Sequence, residues 1–302
     1  MECVIGARDV VLRFGHVTAL DSFSADVPRG VVGLLGPNGA GKTSFIKACL
    51  GLVSLDSGSI SVAGLDPVRD MIRVRDMVGY MPEDDCLMPS ASAVELVAYF
   101  GRLSGMPPGD AMQRTHEMLD FVGIGEERYR NVGEYSTGMK QRVKLAQAVV
   151  HDPEILFLDE PTSGMDPQGR EDMLRLIRSI GELDKAVVVS SHLLHEVERV
   201  CRYAVIIDSG RLVVSGAVEE LVSEGGSRMK LKLRGGELQR MCTVLTVSEE
   251  RGQVSAVVDG IDPEDLFSLA ARYRVQVRYI GPATQTLEDV FLRHLGGEQL
   301  WE

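Results

Sequence analysis

Continuous apolar runs and alternating runs divide the chain into two kinds of predicted strand. The runs VVGLL at 31–35, ILFL at 155–158 and AVVV at 186–189 are apolar throughout, which is typical of strands buried on both faces of a sheet. Residues 1–30 alternate instead, most clearly in VIGARDVVLRF. We therefore expect short strands there, with a turn at Pro28-Arg29-Gly30.

Helical patterns occupy much of the chain between these strands, so the predicted fold class is α/β. KTSFIKACLGL reads as one helix, and the segment 92–122 has a helical period that SGMPPGD interrupts. We expect a helical subdomain at about 88–150. Asp166-Pro167 resembles an N-cap followed by proline at the first helical position. SGSISVAGLD resembles an outer strand and turn, and YAVIIDSGRLVVSG a hairpin.

The composition changes near residue 223, where SEGGS indicates a linker. Beyond it, RMKLKL, QVSAVV and VQVRYI have the pattern of strands, and DPEDLFSLAARY and TLEDVFLRHL that of helices. We therefore predict two domains, at 1–222 and 228–302, of which the second is a small α/β accessory domain.

The charge and the cysteines exclude several classes of function. The chain has 302 residues and a net charge of -12, which argues against broad binding to nucleic acid or anionic lipid. Its five cysteines are scattered without a CxxC pair, so neither a zinc site nor a disulfide framework is expected. The N-terminus does not resemble a signal peptide, and no apolar run approaches the ~20 residues that span a bilayer.

GPNGAGKT, from Gly36 to Thr43, matches the phosphate-binding pattern G-x-x-x-x-G-K-[ST]. Its glycines let main-chain N–H groups point at phosphate oxygens, Lys42 can reach the β- and γ-phosphates, and the Thr43 hydroxyl can bind Mg²⁺. An ordinary glycine-rich turn is the alternative, but an apolar strand precedes the loop and a helix follows it. The predicted nucleotide contacts of the loop are Gly36, Pro37, Asn38, Gly39, Ala40, Gly41, Lys42, Thr43 and Ser44.

Two carboxylates and a histidine follow the other buried strands. Asp159 suits the shell of Mg²⁺, and Glu160 could orient or deprotonate an attacking water. His192 could bind a γ-phosphate or that water, although a lone histidine is often structural. HLLHE, from His192 to Glu196, is not a metalloprotease pattern, because the acid lies outside the pair.

Two further residues have both a functional and a structural interpretation. Phe14 could stack on an adenine ring or fill the core. Ser136, in YSTGMKQR, opens a predicted helix and could simply cap it. The same helix N-terminus is also suited to an anion, because its free N–H groups and dipole favour negative charge.

The order of these segments resembles the ATP-binding cassette of ABC transporters, over roughly residues 1–220. The resemblance implies a P-loop NTPase fold, with a RecA-like core sheet, an antiparallel β subdomain and a helical subdomain. It also implies a head-to-tail homodimer or cassette pair with two ATP molecules between the subunits. The matching segments are Phe14, the loop at 36–43, YSTGMKQR at 135–142, LDEPTSGMD at 158–166 and SSH at 190–192.

The resemblance also implies roles for individual residues. Glu160 corresponds to the catalytic glutamate, His192 to the switch histidine and Phe14 to the aromatic residue that stacks on adenine. Ser136, Thr137 and Gly138 correspond to the signature motif, which closes over the γ-phosphate held by the opposite subunit. Asp166 corresponds to the loop that crosses the dimer interface.

Two motifs depart from the family pattern. The usual signature LSGGQ is replaced by YSTGM, and Met139 cannot make the hydrogen bonds of a glutamine. GYMPE ends in Glu83, where most cassettes have a glutamine that touches Mg²⁺ and contacts the membrane subunit. We expect Glu83 to join Thr43 and Asp159 around Mg²⁺ and to alter the dependence on Mg²⁺.

GYMPE, STGMKQR and TLEDVFLRHL together resemble the subgroup of drug-resistance, lipid and polysaccharide exporters. The resemblance implies an ATPase that drives a separate transmembrane permease from the cytoplasmic face of the membrane. A cassette ATPase acting on ribosomes or DNA is the alternative, but the chain has one cassette, no coiled-coil heptads and a net charge of -12. A catalytically silent binding module is the third possibility, and intact Lys42, Asp159 and Glu160 argue against it.

Overall fold

The computed structural model describes residues 3–223, 229–235, 253–258, 262–282 and 286–294. The chain divides into two compact units, Met1–Val218 and Glu219–Gly296. Most of the predicted linker at 223–227 lies outside the described residues. The part of the chain that the structure describes contains no helix long and apolar enough to cross a membrane.

A six-stranded sheet forms the centre of the first unit, with the strand order β5-β6-β7-β3-β8-β9. The neighbouring strands are parallel except for β8 and β9, which are antiparallel. The apolar strands at its centre are buried on both faces, as their continuous runs predict. The strands are β3 Gly30–Leu35, β5 Val78–Met81, β6 Ile155–Asp159, β7 Ala186–Ser191, β8 Tyr203–Asp208 and β9 Arg211–Ala217.

A second, antiparallel sheet of three strands has the order β2-β1-β4. Its strands are β1 Cys3–Phe14, β2 Val17–Pro28 and β4 Ser57–Val62. The prediction of short strands in this region is wrong, because β1 and β2 have 12 residues each. Their register shifts at several points, and Asp9 and Ser22 have positive φ. These irregularities bend long strands without ending them.

Three helices form the expected helical segment of the first unit. The helix α3 begins after a capping box, in which Ser92 and Glu95 bond each other's main-chain N–H groups. It ends at Leu103, and α4 begins at Pro108, so the predicted break falls at residues 104–107, and the PGD of SGMPPGD forms the first turn of α4. The helices of this unit are α1 Lys42–Cys49, α2 Met71–Asp76, α3 Ala93–Leu103, α4 Pro108–Phe121, α5 Thr137–Val149, α6 Pro167–Gly181 and α7 Leu194–Val200.

Helix α7 lies directly against the central sheet at Gly33. A Cβ atom built on Gly33 would lie 2.2 Å from Cγ1 of Val197, a buried residue of α7. No side chain fits at that distance, so the hydrogen of glycine sets the spacing between α7 and β3. This spacing matters for the site, because the same helix carries the buried Glu196.

The second unit contains its own sheet and helices. Strand β10 lies between β11 and β12, and it pairs antiparallel with both. Its buried face includes Leu231 and Leu233, and α9 and α10 contribute the buried Leu266 and Phe291. The elements that start beyond Gly216 are α8 Val218–Ser223, β10 Met229–Arg234, β11 Gln253–Val258, α9 Pro263–Arg272, β12 Gln276–Pro282 and α10 Leu287–His294.

Candidate functional site

The loop Gly36–Thr43 leaves β3 and enters α1 at the carboxyl edge of the central sheet. Gly39 and Gly41 have φ values of 81° and 110°, a backbone region that residues with a side chain rarely adopt. Successive N–H groups in such a curled loop form a nest for an anion. The local conformation therefore matches the chemistry that the sequence pattern predicts.

A cavity of about 390 Å³ lies over this loop. Its volume falls in the usual range for small-molecule sites, roughly 300–1,000 Å³. The predicted contacts that line it are Phe14, Pro37, Asn38, Gly39, Ala40, Gly41, Lys42, Thr43, Ser44, Glu83 and Glu160, and they are joined by Val17 and Ala19. Gly36 does not line the cavity, and its carbonyl oxygen accepts a hydrogen bond from Lys42.

Lys42 joins its own loop to the end of β6. Its Nζ donates hydrogen bonds to the carbonyl oxygens of Gly36 and Pro37, at 2.6 and 3.3 Å. It also lies 3.2 Å from Oε1 of Glu160, and both side chains are buried. A buried ion pair of this kind needs further hydrogen bonds to offset desolvation, and the two carbonyl groups supply them for Lys42.

Glu160 follows β6 and has an unusual main-chain conformation. Its φ of 47° lies in the left-handed region, and its N–H donates to Oγ of Ser190 over 2.9 Å. Its Oε1 is buried beside the charge of Lys42, but the geometry is not that of a hydrogen bond. Among the described residues, no group donates a hydrogen bond to this oxygen. A buried acceptor without a donor at a cavity wall is a candidate position for a bound water.

His192 contacts the other oxygen of the same carboxylate. Its Nδ1 lies 2.8 Å from Oε2 of Glu160, and about a third of its side chain is exposed. The contact orients the imidazole, because a protonated Nδ1 donates to the carboxylate and leaves Nε2 available. The structure thus brings Lys42, Glu160 and His192 together, as the sequence predicts.

Asp159 accepts two hydroxyl hydrogen bonds, from Thr43 at 2.8 Å and from Ser190 at 2.5 Å. No local pattern in the sequence marks Ser190 as a site residue, although it lies in the same SSH segment as His192. Ser190 holds both acids, because the same oxygen accepts the N–H of Glu160. The pairing of Asp159 with Ser190 across β6 and β7 explains this arrangement.

The oxygen ligands at this edge fit Mg²⁺. Thr43, Asp159 and Glu83 offer a hydroxyl and two carboxylates, which are the hard donors that Mg²⁺ prefers. No cluster of three metal-ligating His, Cys, Asp or Glu side chains occurs in the described residues. Mg²⁺ sites of phosphate-binding proteins commonly use one or two carboxylates and complete their shell with phosphate and water.

Glu83 lies in a negative environment. Partial burial raises the pKa of its carboxyl group, and the charges of Asp159 and Glu160 raise it further. Its main-chain oxygen accepts a hydrogen bond from the buried Lys144 of α5, over 2.9 Å. Lys144 is a second contributor that no sequence motif marks, because it looks like an ordinary lysine of a helix.

Ser136 caps α5 in this structure, since its Oγ accepts the N–H of Met139 over 3.3 Å. Asp166 caps α6 in the predicted way, through the N–H of Gly169 at 3.0 Å. In the described part of the chain, neither these two residues nor Thr137 and Gly138 line the cavity above the loop. A single copy therefore does not bring them to its own cavity.

The N-terminus of α5 instead lies beside the loop that precedes α6. A Cβ atom on Gly138 would lie 3.5 Å from Cε of Met165, and one on Gly164 would lie 3.0 Å from Cγ2 of Thr137. The segments predicted to meet a second copy, Ser136–Gly138 and Asp166, thus neighbour each other within one chain.

Known sequences of the ABC transporter family match this chain over most of its length. A profile of the ABC transporter family matches residues 20–163. The Nod factor export ATP-binding protein I of Burkholderia lata is 36% identical over 299 residues, which cover 97% of each chain. The linearmycin resistance ATP-binding protein LnrL of Bacillus subtilis is 34% identical, over 76% of this chain and 74% of its own.

Solved structures show the same fold. A dimeric ATP-binding cassette in a post-hydrolysis state, with ADP and Pi bound, superposes with a TM-score of 0.64. The match is 21% identical and covers 70% of this chain and 98% of the cassette. At this identity the similarity establishes the fold of the first unit, that of an ABC cassette.

Proposed function

The chain belongs to the ABC transporter family as an ATP-binding subunit and is an ATPase. From this premise, we propose that it powers an exporter as a head-to-tail pair of cassettes. In this proposal two ATP molecules lie between the paired subunits. Binding of ATP closes the pair, and hydrolysis reopens it. The cycle shifts a membrane partner between two access states, because ATP and ADP differ in their affinity for the closed form.

The Oε1 of Glu160, which lies beside the charge of Lys42 but accepts no hydrogen bond, is the observation that carries the catalytic assignment. It is a buried acceptor at the wall of the nucleotide cavity, with no hydrogen-bond donor among the described residues. A water placed there can donate to it and be oriented for attack on the γ-phosphate. His192 holds the other oxygen of this carboxylate, so the orientation of the acid is fixed before the water arrives.

Lys42 and the loop bind the phosphates in this proposal, and Phe14 stacks on the base. The ring of Phe14 is half exposed at the mouth of the cavity, which suits stacking on a planar ring better than core packing. Lys42 is already directed into the loop by the carbonyl groups of Gly36 and Pro37. Its charge therefore lies where the β- and γ-phosphates would be held.

We assign Thr43, Asp159 and Glu83 to Mg²⁺. The ion supplies charge neutralisation to the β- and γ-phosphate oxygens when it is bound. Glu83 brings a negative charge to a position where relatives of this family usually have a neutral side chain, so Mg²⁺ dependence should change in Glu83→Gln. If that variant has an unchanged Mg²⁺ titration and unchanged turnover, the assignment of Glu83 is wrong.

Ser136 can cap its helix and also meet the nucleotide of a second copy. A serine hydroxyl has one donor and two acceptor lone pairs, and the cap uses only an acceptor. The O–H group remains available to donate to a γ-phosphate oxygen. The N-terminus of α5 adds its dipole and free N–H groups to that contact, in the position that an arginine finger takes in other NTPases.

Export and a separate permease are inferred from the relatives. Both curated relatives described above are ATP-binding proteins whose names refer to export or to resistance. The described residues include no membrane-spanning helix. We therefore place the transmembrane path, and with it the cargo contacts, on another chain that recruits this one to the cytoplasmic face of the membrane.

The mass in solution of Glu160→Gln, with and without ATP, tests the pairing. We expect ATP to convert monomer to dimer, because binding persists while hydrolysis stops. Adding Ser136→Asp should abolish the dimer, since aspartate caps a helix as well as serine but repels a phosphate. Ser92→Asp, at the N-cap of α3, is the matched control and should leave the dimer intact. A monomer that binds ATP contradicts the pairing of the chain by itself.

A further inference from the structure

A buried carboxylate outside the nucleotide cavity contacts the turn that follows Glu160. Glu196, in the first turn of α7, is only 4% exposed. Its Oε2 accepts a hydrogen bond from Oγ1 of Thr162 over 2.7 Å, and Thr162 is equally buried. Its Oε1 is buried as well and has no hydrogen-bond partner among the described residues.

A buried carboxylate at this position is less favourable for folding than an apolar side chain of similar size would be. Burial of a carboxyl group whose oxygens are not all hydrogen-bonded is unfavourable unless partners compensate it. A leucine or methionine would pack against the neighbouring apolar residues of α7 without that cost. The polar contact with Thr162 is therefore the feature that distinguishes Glu196 from a core residue.

Two side-chain contacts connect the same pair of segments. The turn after β6 supplies Glu160 and Thr162, and the segment after β7 supplies His192 and Glu196. His192 contacts Glu160 at 2.8 Å, and Glu196 contacts Thr162 at 2.7 Å. The strands themselves are neighbours in the sheet, so the two contacts continue the strand pairing beyond the sheet edge.

The turn at Glu160 needs such support. Glu160 has a φ of 47°, and a residue with a side chain persists in that region only when its surroundings hold it there. The N–H of Ser163 closes the turn on the carbonyl of Glu160 at 3.1 Å. Gln141 of α5 donates to the carbonyl of Ser163 from the other side, also at 3.1 Å. Thr162 lies within the turn between Glu160 and Ser163, and its hydroxyl donates to Glu196.

We propose that Glu196 is a positioning residue for ATP hydrolysis, which acts through the Thr162 hydroxyl to hold Glu160 and His192 in register. The inference rests on the proposed catalytic role of Glu160. Glu196 does not touch the nucleotide cavity. Its loss should therefore lower kcat and leave the affinity for ATP nearly unchanged, because only the geometry around the attacking water changes.

Thr162→Val is the first test, because valine has the shape of threonine without the hydroxyl. We expect kcat for ATP hydrolysis to fall roughly 10- to 100-fold, the usual effect of misplacing a catalytic group by about 1 Å, with KM changed less than about twofold. Thr115→Val is the matched control. Thr115 is also fully buried and donates its hydroxyl to a carbonyl oxygen, that of Ala111 in α4. It should keep normal kcat.

Two further sets of variants separate positioning from stability. Thr162→Ser and Glu196→Gln keep a donor and an acceptor, so each should retain most of the activity. The double variant Thr162→Val with Glu196→Leu removes both polar groups together, which is often nearly neutral for stability. We expect its midpoint of urea unfolding to recover relative to Thr162→Val, while kcat stays low. A purely structural role predicts that activity recovers with stability.

Failure of the positioning role of Glu196 can be distinguished from failure of the catalytic role of Glu160. If Glu160→Gln retains turnover, the catalytic assignment itself fails. If Glu160→Gln is inactive but Thr162→Val matches Thr115→Val in kcat, only the role of Glu196 is overturned. A rise in KM proportional to the loss of kcat/KM, with kcat unchanged, also overturns it, because the defect then lies in binding.

Discussion

The buried ammonium group of Lys144 donates a hydrogen bond to the main-chain oxygen of Glu83 over 2.9 Å. One turn earlier on α5, Lys140 forms an ion pair with Asp85, also at 2.9 Å. Two lysines on one face of α5 therefore bind the segment that follows β5. These contacts attach the segment that carries Glu83 to the helix that Ser136 caps.

These two contacts should differ in their contribution to stability. Burial lowers the pKa of Lys144, and its hydrogen bond serves a carbonyl that would otherwise lose its partner. We expect Lys144→Met to cost about 1–3 kcal/mol. Lys140→Met should cost less than about 1 kcal/mol, since it removes a partly exposed ion pair. Urea unfolding of both variants measures this difference in the free energy of unfolding. Equal decreases would show that the buried contact of Lys144 contributes no more than the exposed contact of Lys140.

The raised pKa of Glu83 predicts a pH-dependent gain in stability for Glu83→Gln. Because its pKa in the folded chain lies above the unfolded value of about 4.3, Glu83 favours folding below that pH, and the benefit disappears as pH rises through the folded pKa. The variant should therefore become more stable relative to wild type as the pH increases from about 4 to 7. Thermal unfolding over this range measures the trend.

Glu95→Gln is the matched control with the opposite sign. The main-chain N–H and hydroxyl of Ser92 lower the pKa of Glu95. Its contribution to stability is therefore present above the unfolded pKa and disappears as pH falls through the folded pKa. Relative to wild type, Glu95→Gln should become less stable as pH rises. Parallel trends for the two variants would contradict the electrostatic explanation of both.

Removal of the Lys42 charge should affect both binding and stability. Lys42→Met leaves the buried Glu160 without its cation, and we expect a loss of about 1–3 kcal/mol, less than for a fully enclosed pair because the cavity admits water. ATP affinity should fall at least about 10-fold, since a phosphate contact is lost. Lys47→Met, on the same helix, is the control. Nucleotide titration and urea unfolding give the two readouts, and unchanged affinity would exclude Lys42 from the binding site.

The half-exposed ring of Phe14 should determine how well the base is held. Phe14→Ala should weaken ATP binding about 5- to 160-fold, in line with ~1–3 kcal/mol for a lost aromatic contact with a base. Phe14→Trp should retain binding, because it keeps an aromatic face. The unfolding midpoint of Phe14→Ala should change little, since half of the ring is already exposed. A large loss of stability would instead identify Phe14 as a core residue.

The sequence was sufficient to predict the elements with a strong local signal. The apolar runs of β3, β6 and β7 mark the buried strands, and GPNGAGKT marks the loop between β3 and α1. Because parallel strands end at one edge, the polar residues after them could be expected to meet. Lys42, Glu160 and His192 do so.

The features that could not be predicted are short or depend on distant pairing. The strand β5 has only four residues and contains a glycine, and α7 has seven residues and no side-chain N-cap. Neither is long enough to show a period. The contact between Thr162 and Glu196 joins residues 34 positions apart. Nothing in either local sequence indicates it, because it exists only once β6 and β7 are neighbours.

If Glu196 positions the catalytic residues, activity also depends on Gly33, a residue outside the recognisable motifs. It lies in the middle of β3, and its hydrogen allows α7 to approach the sheet closely enough to deliver Glu196 to Thr162. A natural allele with alanine at this position would keep every motif residue and still displace that helix. Intact motifs are therefore an incomplete criterion when genomes are surveyed for working copies of this protein.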